Sequence, residues 1–239
     1  MIAIDPVADK ATKVWRYMSY ARFVWLLQKK QLWLSRADHL GDPWEVSLAG
    51  DQLAEVLARH PIAPLPSTGA VRETSMQRSE RIIKKWRQKT FINCWSASDH
   101  ESHALWRIYC PTSDGVAIQT TLFQLQTSVG DLPVHRVTYA TPGSTKRTPT
   151  LDDLATKKRP MFAYEQEVRI IHLIDEDGPA PPPVGFGLPW DCEKHVESIC
   201  VHPEADQSFM DTVTASVETY APLLKDRVVW SAMNAQPPF

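Results

Sequence analysis

Apolar and polar positions change period repeatedly along the chain, and each change predicts an element boundary. KVWRY (13–17) reads as a short strand. Ser19 then stands as the N-cap of the helical stretch YARFVWLLQKKQL, where Phe23, Leu26, Leu27 and Lys30 keep an i, i+3, i+4 rhythm. LWLSRA follows as a strand and HLGDPWE breaks it with a glycine and a proline. Residues 47–60 are expected to be helical, and the three prolines of PIAPLPSTG make the next segment a loop. In 71–89 the stripe Ile82, Ile83 and Trp86 predicts a helix docked by one face. FINCWSAS reads as a strand ending at Ser98, where Ser98-Asp99-His100-Glu101 has the form of a capping box opening the helix HESHALWRIYC.

GVAIQTT and VHRVTYA are strands by their β-forming residues. TPGSTKRTPT (141–150) is a loop and LDDLATKK a short helix. VRIIHLI is a strand, and the proline-rich stretch around 176–186 is a loop. VESICVHP (strand), a helix from about Asp206 to Leu224, and RVVWSAM (strand) complete the pattern. Strands and helices are interspersed without regular alternation, and no glycine-rich turn joins a strand to a helix. That excludes a dinucleotide fingerprint and a phosphate loop. The expected fold is α+β: a single domain over 1–239, with a mixed or mostly antiparallel sheet of about seven to eight strands and helices packed on it.

Composition changes this picture in two places. Nine tryptophans in 239 residues are a high share, to be read as core packing or as the walls of a binding pocket. Nineteen prolines against nine glycines mean stiff connections. The formal net charge of −2 gives no overall field for nucleic acid. Only the 71–89 helix is strongly basic, with seven basic against two acidic side chains; it is a phosphate-binding face or a solvated one, so nucleic acid stays open as a minor partner. No leader and no apolar run of membrane-spanning length are apparent, and Cys94, Cys110, Cys192 and Cys200 lack CxxC spacing. The expectation is a cytoplasmic chain with reduced thiols and no membrane partner.

The chemistry-bearing stretch is FAYEQEVRII (162–171). Strand alternation would send Glu165, Glu167 and Arg169 to one face. This is either an exposed, self-neutralised strand face or the acidic edge of a site. Asp99, His100, Glu101 and His103 crowd one helix start, but HESH is not the HExxH of a zinc peptidase, so no metal is expected. There is no GxSxG for a serine hydrolase.

Four pieces in order, LWLSRADHLGDPWE, FINCWSASDHESHALWRIY, GVAIQTT with VTYA, and KKRPMFAYEQEVRII, resemble a bacterial group, domain-of-unknown-function family 2971, over about residues 14–233. That resemblance implies one domain and no settled activity. A second resemblance is to ADP-ribosyltransferases, which carry a basic residue on an early strand, a serine-rich strand end and a late Glu-x-Glu. Arg16, Ser96 with Ser98, and Glu165 with Glu167 match in type and order. It implies NAD as cofactor, an ADP-ribosyltransferase-like fold, Glu167 as the catalytic carboxylate and Glu165 as the group positioning a nucleotide or protein acceptor. Arg16, Tyr17, Trp95, Ser96 and Trp106 would then contact NAD. The alternative is a non-catalytic ligand- or protein-binding module, of the kind used in phage defence or bacterial conflict. Convergence of the carboxylates and indoles on one concave pocket would favour catalysis over binding.

Overall fold

A computed structural model describes residues 10–48, 74–141, 150–174 and 183–235. In chain order the strands are β1 (Lys13–Ser19), β2 (Gln31–Arg36), β3 (Thr90–Ala97), β4 (Gly115–Thr121), β5 (Val134–Arg136), β6 (Thr138–Tyr139), β7 (Lys157–Lys158), β8 (Glu167–Leu173), β9 (Gly185–Pro189), β10 (Ser198–Val201) and β11 (Val228–Trp230). The helices are α1 (Tyr20–Lys29), α2 (Ser75–Lys89), α3 (His103–Tyr109), α4 (Leu122–Ser128), α5 (Leu151–Ala155), α6 (Cys192–His195) and α7 (Gln207–Tyr220). The class is α+β as expected, with a nine-stranded mixed sheet and a separate parallel pair, β6–β7.

One face of the sheet carries the main core. Phe23, Leu26 and Leu27 of α1, Leu122 and Leu125 of α4, and Met210, Val213 and Val217 of α7 pack on alternate residues of β1, β3, β4, β8 and β10. The opposite face holds two smaller apolar clusters. Trp15, Tyr17, Ala117 and Cys200 lie with Leu105 and Trp106 of α3. Ile92 and Ile171 lie with Ala37, Val46, Leu154 and Ala155. Cys94 and Ser96 of β3, paired with Arg169 and Glu167 of β8, occupy the ground between the two.

The sheet splits beside β3. β8 pairs with β3 along its whole length, from Thr90 to Ser96. The other edge of β3 is shared: β1 pairs only at Ser96 and Ala97, and β2 only at Phe91 and Ile92. Between these contacts β1 and β2 diverge, β1 following β4 for seven residues and β2 following β9 for five. Within the split, Asn93 Nδ2 donates to the carbonyl of Trp33 at 2.8 Å and Asn93 Oδ1 accepts from Trp95 Nε1 at 2.7 Å.

Several expectations are corrected. Residues 49–60 of the expected helix, the whole proline loop after it, and 142–149 lie outside the described residues. The helix expected from His100 begins at His103, capped by Ser102, whose hydroxyl accepts from Leu105 N. Ser98 cannot open it, because Ser98 N donates to Lys13 O and the chain there is still held against β1. Ser19 sits at the N-cap of α1 but its side chain makes no capping bond. VHRVTYA is two strands: β5 pairs with β8, and β6 turns away to pair with β7. LDDLATKK is helical only to Ala155. The stretch 176–186 is not wholly a loop: 175–182 lie outside the described residues, and Gly185 and Phe186 begin β9.

Candidate functional site

β8 begins at Glu167, not at Glu165. Pro160 opens a 3-10 turn that runs to Glu165, and Gln166 takes a left-handed conformation (φ 44°) before the strand starts. Glu165 and Glu167 nonetheless reach the same place from two different elements. The stripe is no exposed strand face: Glu165, Glu167 and Arg169 are 6%, 5% and 0% exposed.

Arg169 organises the cluster. Its guanidinium donates to Glu167 through Nε and Nη2 (3.0 Å each), to Glu45 through Nη1 and Nη2 (2.8 Å each), and to the carbonyl of Ala155 at 2.7 Å. These bonds are bidentate on two carboxylates, the geometry at which a buried ion pair is strongest. Lys158 Nζ reaches Glu165 at 2.5 Å, Glu167 at 3.2 Å and Glu45 at 3.7 Å. Lys158 stands in this position because α5 stops at Ala155 and the chain turns into β7 beside Tyr139. The Tyr139 hydroxyl accepts from the backbone amide of Glu167 at 2.7 Å.

The two sequence-predicted carboxylates therefore differ in state. Burial alone would raise the pKa of Glu167, but Arg169, Lys158 and the Cys94 thiol overcome it and hold the acid at about 2. For Glu165 burial wins: its pKa is raised, although Lys158 pulls the other way. Among the described residues, Lys158 is the hydrogen-bond donor to Glu165, and it meets Oε2. No described residue donates to Oε1. The Tyr109 hydroxyl of α3 feels burial first and then Glu165, Cys94, Lys158 and Glu167, all of which but Lys158 push its pKa up. Tyr109 is 46% exposed.

Arg16 stands in the split of the sheet. Ala97 N bonds Gln166 O on the β8 side, so Cys94 presents its backbone groups to the opposite edge. β1 has already left that edge, and Arg16 Nη1 takes the free Cys94 carbonyl at 2.7 Å. No carboxylate lies within ion-pair distance of Arg16 among the described residues; burial lowers its pKa, and Arg22 adds to that while Tyr109 opposes it.

The remaining sequence-predicted residues separate. Ser96 faces Glu167 across the β3–β8 ladder. Tyr17 and Trp106 meet edge to face at 5.0 Å in the cluster under α3, where Tyr17 accepts from Ser102 N. Trp95 packs on Trp190 in the main core, on the other side of the sheet. Trp95 and Trp106 are 2% and 1% exposed, so both indoles are committed to packing rather than to a ligand. Sequence reasoning missed Glu45, Lys158 and Tyr109. The only signal for Glu45 was an acidic residue after an Asp-Pro turn, a common pattern. All four cysteines are free. Among the described residues no group of His, Cys, Asp and Glu could hold a metal ion, and no helix is long and apolar enough to cross a membrane.

No family model and no curated protein matches the chain. Three solved structures of Thermus sp. 2.9 DarT are similar to it in chain path, each with a TM-score of 0.44 and 11% identity. They hold ADP-ribosylated ssDNA (94% of this chain and 96% of that chain covered), carba-NAD+ (94% and 97%) and NAD+ (97% and 98%). At that score and identity the likeness fixes neither a family nor an activity.

Proposed function

We propose that this chain is an NAD-using, ADP-ribosyltransferase-like enzyme, belonging to the unknown-function family 2971 that its four motifs resemble, with its site in the split beside β3. The observation that carries the reading is Arg16: a half-buried guanidinium with no carboxylate partner among the described residues, hydrogen-bonded to the carbonyl of Cys94, which pairs across the ladder with Arg169 of a cluster with an excess of carboxylate. A cation held in that way suits a diphosphate, and a cluster of net negative charge suits a developing ribosyl cation.

In this reading Arg16 binds the diphosphate of NAD and Ser96 lies toward the ribose. The bond between C1′ and the nicotinamide nitrogen breaks, and nicotinamide leaves with the electron pair. Glu167, fixed and ionised by Arg169 and Lys158, contributes negative charge against the positive charge left on the sugar. The acceptor, a protein or nucleic-acid group, attacks C1′ and gives its proton to Glu165. A carboxylate with a raised pKa and one oxygen without a donor among the described residues is suited to that role.

Calorimetric titration with NAD tests the reading. Micromolar binding, about −8 kcal/mol, should vanish in Arg16→Ala with circular dichroism unchanged. Glu165→Gln should keep binding but stop transfer of ADP-ribose to the acceptor. Absence of heat with both NAD and ADP-ribose would overturn the reading and leave a non-catalytic binding module.

A further inference from the structure

The cluster contains more acid than base. Glu45, Glu165 and Glu167 share Arg169 and Lys158, leaving one negative charge in excess. How that excess is distributed depends on Glu45, which reaches the site from a loop rather than from a strand. The loop is fastened at two points. Asp42, itself buried, accepts from Arg159 Nη2 at 2.8 Å and Nε at 3.3 Å and from the amide of Trp44 at 3.0 Å. Three residues on, Glu45 receives the two 2.8 Å bonds of Arg169. Val46, directly after it, is fully buried at φ 50°. A β-branched residue rarely adopts that conformation, and it is retained only where surrounding contacts dictate it. The chain is bent there to bring Glu45 to Arg169.

We propose that Glu45 is a positioning residue of this site: by taking half of the Arg169 fork it leaves Lys158 as the main cation for Glu165, and so sets the pH at which Glu165 can accept a proton. The groups facing Glu165 are consistent with this. Lys158 of β7 neutralises it, and Glu167 of β8 opposes ionisation while Arg169 favours it. Tyr109 of α3 and Tyr139 of β6 feel its charge, and the Cys94 thiol of β3 is committed to Glu167. Glu45 lies 3.7 Å and Glu165 2.5 Å from the same Lys158 nitrogen, so the two carboxylates are within about 6 Å of one another, where charges still couple strongly. Removing the charge of Glu45 makes the cluster neutral and frees Arg169 toward the other acids.

The inference takes this cluster as the proposed site, but its test needs neither NAD nor turnover. Carboxyl carbon resonances of the full chain are followed by NMR through a pH titration, with Glu165 assigned by its loss in Glu165→Gln. In the wild-type protein Glu165 should titrate above the ordinary carboxyl value of 4.5. In Glu45→Gln its midpoint should fall by about one pH unit, and in Glu45→Asp, which keeps the charge, it should stay within about half a unit of wild type. A midpoint that is unmoved or raised in Glu45→Gln overturns the proposal. Should that variant fail to fold, the wild-type titration decides: a Glu165 midpoint at or below 4.5 overturns it equally. Failure of the NAD reading appears only in the calorimetry, so the two are separable.

Discussion

Arg169 and Glu45 meet across two parallel hydrogen bonds of 2.8 Å, 124 positions apart in the chain and sealed from solvent. The same guanidinium forks onto Glu167, so one side chain fastens a loop, a strand and, through Ala155, the end of a helix. Its removal would leave three carboxylates to Lys158 alone. Arg169→Met should therefore cost about 3–5 kcal/mol in urea unfolding. Arg169→Lys should recover little, because an ammonium cannot reproduce the fork. A loss below about 1 kcal/mol would mean the cluster is open to water.

What could be read from sequence divides along physical lines. β1, β2, β3, β4, β8 and β10 were legible because each carries β-forming residues in runs long enough to show a period. The convergence of Glu165 and Glu167 was legible too, although for the wrong reason: alternation placed them on one strand, whereas a 3-10 turn delivers the first. Glu45 was not legible, since a loop has no period and its partner is 124 residues away. Lys158 was hidden in an apparent helix. The start of α3 was misplaced because the Ser98 pattern satisfies a capping box in isolation, while the Lys13 carbonyl decides the matter in the fold.

β9 escaped notice because GFGLP has two glycines and a proline, all poor strand formers. The fold explains one glycine directly. A Cβ on Gly185 would lie 2.5 Å from the Trp33 ring and 2.6 Å from the Leu34 carbonyl oxygen, and the latter is backbone that cannot swing aside. Gly185→Ala should destabilise by about 1–3 kcal/mol in thermal or urea unfolding. An unchanged midpoint would show that β2 and β9 can separate freely.

Glu101, expected to serve the capping box, instead ties the turn at Ala232–Asn234 to α3. It accepts from Trp106 Nε1 at 2.9 Å, from the Ser231 hydroxyl at 2.6 Å and from Ala232 N at 2.8 Å. Glu101→Ala leaves a buried indole N–H without that partner, which costs about 1–3 kcal/mol. It also releases the turn at 232–234. Hydrogen exchange at the Ala232 amide should accelerate at least about tenfold, by a sub-global opening. Equal acceleration across β3 would instead mean that the whole domain had been loosened.

The pH dependence of stability follows from Glu167, with a definite sign. Its folded pKa of about 2 lies below the ordinary 4.5, so the folded state releases this proton more readily than the unfolded chain does. The stabilisation is therefore fully present above about pH 5 and is lost as pH falls toward 2. A depression of this size corresponds to roughly 3 kcal/mol at neutral pH. Glu167→Gln should remove that contribution and flatten the acid limb of stability between pH 5 and about 2, as measured by urea unfolding at each pH. An exposed strand face would lose at most about 1 kcal/mol in the same substitution, with no change of slope. Glu165 acts in the opposite sense. Its raised pKa makes the folded state hold the proton more tightly, so its contribution is present at low pH and declines as pH rises through the folded midpoint. Glu165→Gln should accordingly steepen the net fall in stability on acidification, whereas Glu167→Gln makes it shallower. Two adjacent acids of the same motif giving slopes of opposite sign would distinguish a buried, divided pair from two equivalent carboxylates.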